Sequence, residues 1–145
     1  MPGSIRIPPP VADQRPRGVI DTSVVIDLEQ IAADELPLEL AVSAITMAEL
    51  AAGPHATTDP AERARRQDRL QRAEATFEPL PVDADVARAY GRVYAAVAES
   101  GRKARGRRAV DLFIAATAVA AGLPLYTRNP DDFVGLSDLL DIVAV

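Results

Sequence analysis

Acidic side chains stand at four places where they could be brought together: Asp21, Glu49, Asp111, and Asp131-Asp132 just after Asn129-Pro130. Asp21 closes the short apolar run Gly18-Val19-Ile20. Glu49 lies four residues beyond Ile45, and Asn129 to Asp132 follow Leu125-Tyr126-Thr127. If those runs are strands of one parallel sheet, all of these residues arrive at its carboxyl end, where such folds bind ligands. Asp111 sits in the first turn of an otherwise apolar helix, where an uncompensated carboxylate is costly. Converging acids need neutralising. A divalent cation does that, and this many oxygen donors favour Mg²⁺ or Mn²⁺.

Each acid also has a plain structural reading. Asp21 can cap the helix that follows it. Glu49 can be the partner of Thr46 in a capping box, Thr46-Met47-Ala48-Glu49. Asp111 can serve a helix dipole, and Asp131 and Asp132 can be turn residues after Pro130. Capping does not require the acids to meet at one edge, so their convergence favours a site.

Composition narrows the chemistry. With 145 residues, 48% of them hydrophobic, the chain fits one domain with a core. It has no Cys and one His. A disulfide scaffold, a thiolate zinc site and a cysteine nucleophile are excluded. A Ser-His-Asp triad would rest on His55, which reads as a surface loop residue. No apolar run approaches the roughly 18 residues of a membrane span. The opening MPGSIRIPPP lacks the apolar middle of a signal peptide. The expectation is a soluble cytoplasmic protein with no membrane partner. The net charge of −5 excludes a uniformly basic nucleic-acid binder. Yet Arg63, Arg65, Arg66, Arg69 and Arg72, with Arg102, Lys103, Arg105, Arg107 and Arg108, hold ten of the sixteen cations in two stretches.

The elements that must position the acids can be read along the chain. Residues 1–17, with Pro8-Pro9-Pro10, read as a flexible leader, and the fold is expected from Gly18 to Val145. Strands are expected at Gly18–Ile20, Leu40–Ile45, Pro79–Val82 as an edge, Pro124–Tyr126 and Ile142–Val145. The first helix, capped by Thr22 or Ser23, holds Val24, Val25, Ile26 and Leu28. A second opens at Thr46 and stops at Gly53-Pro54. A third runs from Pro60 to about Phe77, pairing Glu62 with Arg66 and Asp68 with Arg72. A fourth follows Asp83, with Val86, Tyr90, Val93, Tyr94 and Val97 at helical spacing. After a basic loop at 101–108, residues 109–121 form a helix apolar almost all round and therefore buried. Short apolar strands alternating with helices give an α/β domain with a central, mainly parallel sheet and helices on both faces.

Four segments then carry a resemblance: Gly18-Val19-Ile20-Asp21-Thr22-Ser23, Thr46-Met47-Ala48-Glu49-Leu50, Asp111-Leu112-Phe113-Ile114-Ala115-Ala116-Thr117-Ala118, and Thr127-Arg128-Asn129-Pro130-Asp131-Asp132-Phe133. In this order they resemble a PIN-domain ribonuclease, and most nearly the VapC-like toxins of bacterial toxin–antitoxin pairs. The resemblance implies a three-layer α/β/α PIN-like domain. It also implies an endoribonuclease that depends on Mg²⁺ or Mn²⁺ and acts on structured RNA such as tRNA or rRNA. Such proteins are restrained by a VapB-like antitoxin and are homodimers. The acid site maps onto Asp21, Glu49 and Asp111, and Thr22, Ser23 and Thr127 match the supporting hydroxyls. The fourth family acid usually stands where this chain has Asn129, whose amide brings a carbonyl oxygen without charge. Asp131 or Asp132 is then the candidate for the missing carboxylate. RNA contact falls to Arg102, Lys103, Arg105, Arg107, Arg108 and Arg128.

Phosphodiester hydrolysis by a carboxylate-held metal needs neither His nor Lys, which suits this composition. Two other classes of function compete. A PIN scaffold impaired at Asn129 would bind RNA or protein without cutting. A phosphatase or phospho-receiver would use an Asp nucleophile with a lysine partner. The sole lysine, Lys103, lies in an Arg-rich loop, and no second Asp stands two residues after Asp21.

Overall fold

The computed structural model describes residues 14–102 and 106–145. Four short strands form one sheet: β1 (Arg17–Ile20), β2 (Glu39–Ala41), β3 (Leu125–Thr127) and β4 (Ile142–Ala144). Their order is β2-β1-β3-β4, and every neighbouring pair is parallel. Among the described residues there are five α-helices: α1 (Thr22–Ile26), α2 (Ala44–Ala52), α3 (Pro60–Thr76), α4 (Ala84–Glu99) and α5 (Arg107–Ala121).

Successive strand residues point to opposite faces, and β1 and β3 each divide their side chains between two cores. Val19 and Leu125 pack with α4 and α5 through Val86, Val93, Leu112 and Ile114. Ile20 and Tyr126 pack on the other side with Val24 and Val25 of α1, Leu50 of α2 and Ala73 of α3. A parallel sheet buried on both faces needs strands that are apolar throughout rather than alternating, and Val19 and Ile20 are both fully buried. The result is the three-layer α/β/α arrangement.

Most helix boundaries follow local chemistry. Asp59 accepts from the Ala61 amide and Pro60 occupies the first turn of α3. Asp83 accepts from the Val86 amide at 3.0 Å and opens α4. Gly122 ends α5 at φ 67°, a left-handed conformation that disfavours a Cβ. Tyr90 stacks on Phe113, with ring centroids 4.1 Å apart, and joins α4 to α5. Tyr94 stays on the rim at 51% exposure.

Four expectations require correction. The second strand does not run to Ile45: β2 ends at Ala41, and Ser43 caps α2 by accepting from the Ile45 amide at 3.1 Å. Thr46 is therefore inside α2 and fully buried, so no capping box forms between Thr46 and Glu49. Pro79–Val82 is not a strand either. Leu80 alone makes a parallel bridge to Ser43, because Pro79 and Pro81 have no amide hydrogens to extend a ladder. Finally, α5 begins at Arg107, which puts Asp111 in its second turn.

Of the expected leader, residues 1–13 lie outside the described residues. Gln14–Arg17 are bonded into the fold. The Gln14 side chain donates to the Ala33 and Leu36 carbonyls. Leu38 and Glu39 donate their amides to the Arg15 and Pro16 carbonyls, and Arg15 pairs with Asp141.

Candidate active site at the carboxyl end of the sheet

Strands β1 and β3 lie side by side with Ile20 opposite Tyr126, so Asp21 and Thr127 emerge together at one edge. The Asp21 amide donates to the Tyr126 carbonyl at 3.0 Å. The Asp21 side chain is only 6% exposed. Its Oδ1 accepts from the Val24 amide at 3.1 Å and from the Ser23 hydroxyl at 2.5 Å. Asp21 is thus the cap of α1, in place of Thr22 or Ser23. The cap uses one carboxylate oxygen. Among the described residues no buried side-chain polar atom lacks a partner. Oδ2 takes no part in these bonds.

Ser23 joins two loops. Its Oγ donates to Asp21 and accepts from the Arg128 amide at 3.1 Å. Thr127, fully buried, accepts from the Asn129 amide at 2.9 Å and so shapes the turn that follows β3. That turn continues as a 3-10 segment, Pro130–Phe133, anchored by buried Phe133. Asn129 and Asp131 are exposed and Asp132 is half-buried. The Arg128 guanidinium pairs with Asp27 at 3.4 Å.

Asp111 lines a cavity of about 550 Å³ together with Arg108, Arg128, Asn129, Asp131 and Asp132. Glu49 lines a separate cavity of about 420 Å³ with Thr22, Glu62 and Arg66. Its Oε1 accepts from the Thr22 hydroxyl at 2.5 Å. Asp21 lines neither cavity, but its chain neighbours reach both: Thr22 through Glu49, Ser23 through the Arg128 amide.

The donors at this edge are oxygens throughout, which suits a hard divalent cation. Among the described residues, no group of three or more His, Cys, Asp or Glu side chains is disposed to hold a metal ion. Mg²⁺ does not require three. It keeps several waters and is commonly bound through one or two carboxylates plus substrate phosphate. The residues present fit a cation held in that way.

The two arginine stretches differ from what their sequence alone conveys. On α3, Arg63 donates to the Pro54 and Thr57 carbonyls. Arg65 and Arg66 both bond Glu62, and their hydrogen bonds hold that carboxyl below its ordinary 4.5. Arg72 pairs with Glu29 and Asp68. These arginines are largely committed within the fold. In the second stretch, Arg102 donates to the Asp131 carbonyl at 2.9 Å, and Arg108 lines the Asp111 cavity. Lys103 and Arg105 lie outside the described residues, and so does the side chain of Arg107.

The sequence reading misplaced Thr46 by taking it for a helix cap. Its Oγ1 accepts from the Thr22 hydroxyl at 3.1 Å. The T-x-x-E spacing does hold a signal, but the partner that distinguishes it from a cap lies in another segment.

Residues 18–137 match the PIN domain family. The chain is 41% identical over 122 residues to ribonuclease VapC5 of Mycobacterium tuberculosis, covering 82% of this chain and 87% of that protein. It is 35% identical over 127 residues to ribonuclease VapC4 of the same organism, covering 85% and 93%. Its fold superposes on the crystal structure of VapBC-5, a toxin–antitoxin system of M. tuberculosis, with a TM-score of 0.76 and 38% identity, covering 90% of this chain and 99% of that one. The VapBC2 structure from Rickettsia felis, bound to a promoter DNA fragment, shares the fold at a TM-score of 0.66 and 21% identity. A parallel sheet with oxygen-bearing side chains gathered at its carboxyl end, together with identity of this extent, makes the chain a member of the PIN-domain family, within its VapC ribonucleases.

Proposed function

We propose that this chain is a metal-dependent endoribonuclease that hydrolyses phosphodiester bonds in structured RNA, such as tRNA or rRNA, and is the toxin of a toxin–antitoxin pair. The observation that carries this reading is the hydrogen-bonded run from Asp21 through Ser23 to the Arg128 amide. Arg128 also lines the Asp111 cavity, with Arg108, and this supports the reading. Asp21 and Asp111 are the residues that would hold Mg²⁺ or Mn²⁺, with waters and substrate phosphate completing the shell. A bound cation of this kind supplies an activated water and neutralises phosphate charge.

The chain's own groups do the rest. Ser23 fixes the rotamer of Asp21, so the carboxylate does not have to be ordered when substrate arrives. Thr22 holds Glu49, which accepts a hydrogen bond from the attacking water and orients it. Arg108 and Arg128 supply charge-assisted bonds to the phosphates on either side of the cut. An acidic pocket of this kind is also a natural target for an inserted arginine. That chemistry fits inhibition by a VapB-like antitoxin, the partner named for the VapBC relatives. A homodimer is the assembly expected of such a chain.

The experiment is cleavage of total bacterial RNA by purified, antitoxin-free protein, with Mg²⁺, with Mn²⁺ and with EDTA, and with Asp111→Ala as control. Discrete products that need metal and vanish in the variant are expected. Folded protein that yields no products in any condition would reject the nuclease in favour of a binding module. Asn129, at the usual place of the fourth acid, would then be the first position to return to Asp.

A further inference from the structure

We propose that Arg69 is a phosphate-binding residue for RNA, holding the backbone on the Glu49 side of the cut. The proposal rests on the nuclease reading and adds a residue to it.

Five arginines stand on α3, and four of them are bonded within the fold. Glu62 lies three and four residues before Arg65 and Arg66 and bonds both. Asp68 lies four residues before Arg72 and pairs with it. Arg63 donates to the Pro54 and Thr57 carbonyls. Arg69 is different. Its neighbours at the contact spacings of a helix are Arg65, Arg66, Arg72 and Ala73. Its own helix therefore offers it no acid and surrounds it with like charge. Among the described residues, Arg69 makes no hydrogen bond and no ion pair.

Its position gives that free cation a use. Arg69 is half-buried and lines the cavity that holds Glu49 and Thr22. Glu62 in the same wall is already neutralised by Arg65 and Arg66. The other half-buried arginines divide in the same way. Arg15, Arg66, Arg102 and Arg128 are bonded or paired. Arg69 and Arg108 are not, and each lines a cavity with one candidate acid, Glu49 for the first and Asp111 for the second. A partly desolvated guanidinium binds phosphate oxygens through charge-assisted bonds, two at once where the fork fits. For Arg69 those bonds cost no contact within the fold. Asp21 is tied to both cavities, through Thr22 at one and through Ser23 and the Arg128 amide at the other. An RNA strand that presents its scissile phosphate to Asp21 and Asp111 can thus lay a neighbouring phosphate against Arg69.

The test reads the salt dependence of binding to a mixed-sequence single-stranded RNA in an Asp111→Ala background, which prevents cutting. Arg69→Met keeps most of the apolar stem and removes the charge. It is expected to reduce the slope of log K against log salt by about 0.7, one phosphate contact on a single strand. Arg69→Lys should keep the slope and lose part of the affinity, since lysine carries the charge without the planar fork. Adding Arg108→Ala to Arg69→Met should double the fall in slope, because independent contacts add. In the cleaving protein, Arg69→Met should raise KM by about tenfold with kcat unchanged, the pattern of an interaction made equally in the ground and transition states. An unchanged slope in Arg69→Met would overturn the proposal, and weaker antitoxin binding in the same variant would then give Arg69 to the protein partner. An equal fall from Arg65→Ala, whose guanidinium is paired with Glu62, would assign the effect to net charge and overturn it too. Wild-type protein that binds RNA without cleaving it would sink the nuclease reading alone, since the slopes are read without any cut.

Discussion

Asp21 serves two purposes that substitution can separate. Its Oδ1 caps α1 through the Val24 amide, while its charge is what the proposed nuclease would use. Asparagine caps helices about as well as aspartate. It keeps an oxygen for Val24 and Ser23 and removes the charge. Asp21→Asn is therefore expected to melt within a few degrees of the wild type while losing most cleavage of total RNA. A variant with the wild-type rate would show that the carboxylate is only a cap. Sequence alone left two readings of Asp21 open, and the bond from the Val24 amide establishes the cap. Glu49 was harder to read. The Thr46-Met47-Ala48-Glu49 spacing fits a cap in every local respect. Only the long-range contact to Thr22, 27 residues from Glu49, shows that Glu49 is bonded to another segment and not to a cap at Thr46.

Contact between β1 and β3 sets the edge on which the site stands, and it depends on a missing side chain. A Cβ at Gly18 would lie 2.6 Å from Tyr126 Cε1 and 3.2 Å from Pro37 Cγ. Tyr126 is 4% exposed and has little room to withdraw. Gly18→Ala should cost about 1–3 kcal/mol, the usual range for overpacking, measured by urea unfolding. Tyr126→Val should recover part of that cost in the Gly18→Ala background by removing the opposing ring. The same ring gives the fold an alkaline limit. Burial raises the Tyr126 hydroxyl above its ordinary 10.0, with smaller opposing effects from Arg15 and Asp141. Below that value Tyr126 is neutral in both the folded and unfolded chains, and pH does not act through it. Above it the unfolded chain ionises first, so stability falls as pH rises until the folded value is passed. Urea midpoints taken between about pH 9 and 11 should show this fall, and Tyr126→Phe should remove the part due to this group. At this scale the sequence was largely legible. Asp59-Pro60, Asp83 and Gly122 mark helix ends through interactions with their own neighbours. Pro79–Val82 and the start of α2 were not, since strand pairing and the Ser43 cap depend on which partner the rest of the fold supplies.

The whole molecule sets a problem for RNA binding that no single element resolves. Its net charge is −5, so a polyanion is repelled at long range and must be attracted locally. Ten clustered cations look sufficient in the sequence. The structure divides them, because Arg63, Arg65, Arg66 and Arg72 are already bonded to carbonyls and carboxylates of the fold. Freeing any of these arginines for a phosphate costs the bond it holds. Arg108 differs, since it lines the cavity that contains Asp111. Binding should therefore weaken steeply with salt, and the residues responsible should be few. Affinity for a single-stranded RNA can be measured across a salt series in an Asp111→Ala background, which prevents cutting. Replacing Arg108 by Ala should reduce the slope of log K against log salt by about 0.7, the loss of one phosphate contact. Arg65→Ala should leave that slope unchanged, because its guanidinium is paired with Glu62 on the exposed face of α3. Equal effects from the two substitutions would mean that RNA is held by diffuse positive charge, not by the cations that line the acid cavity.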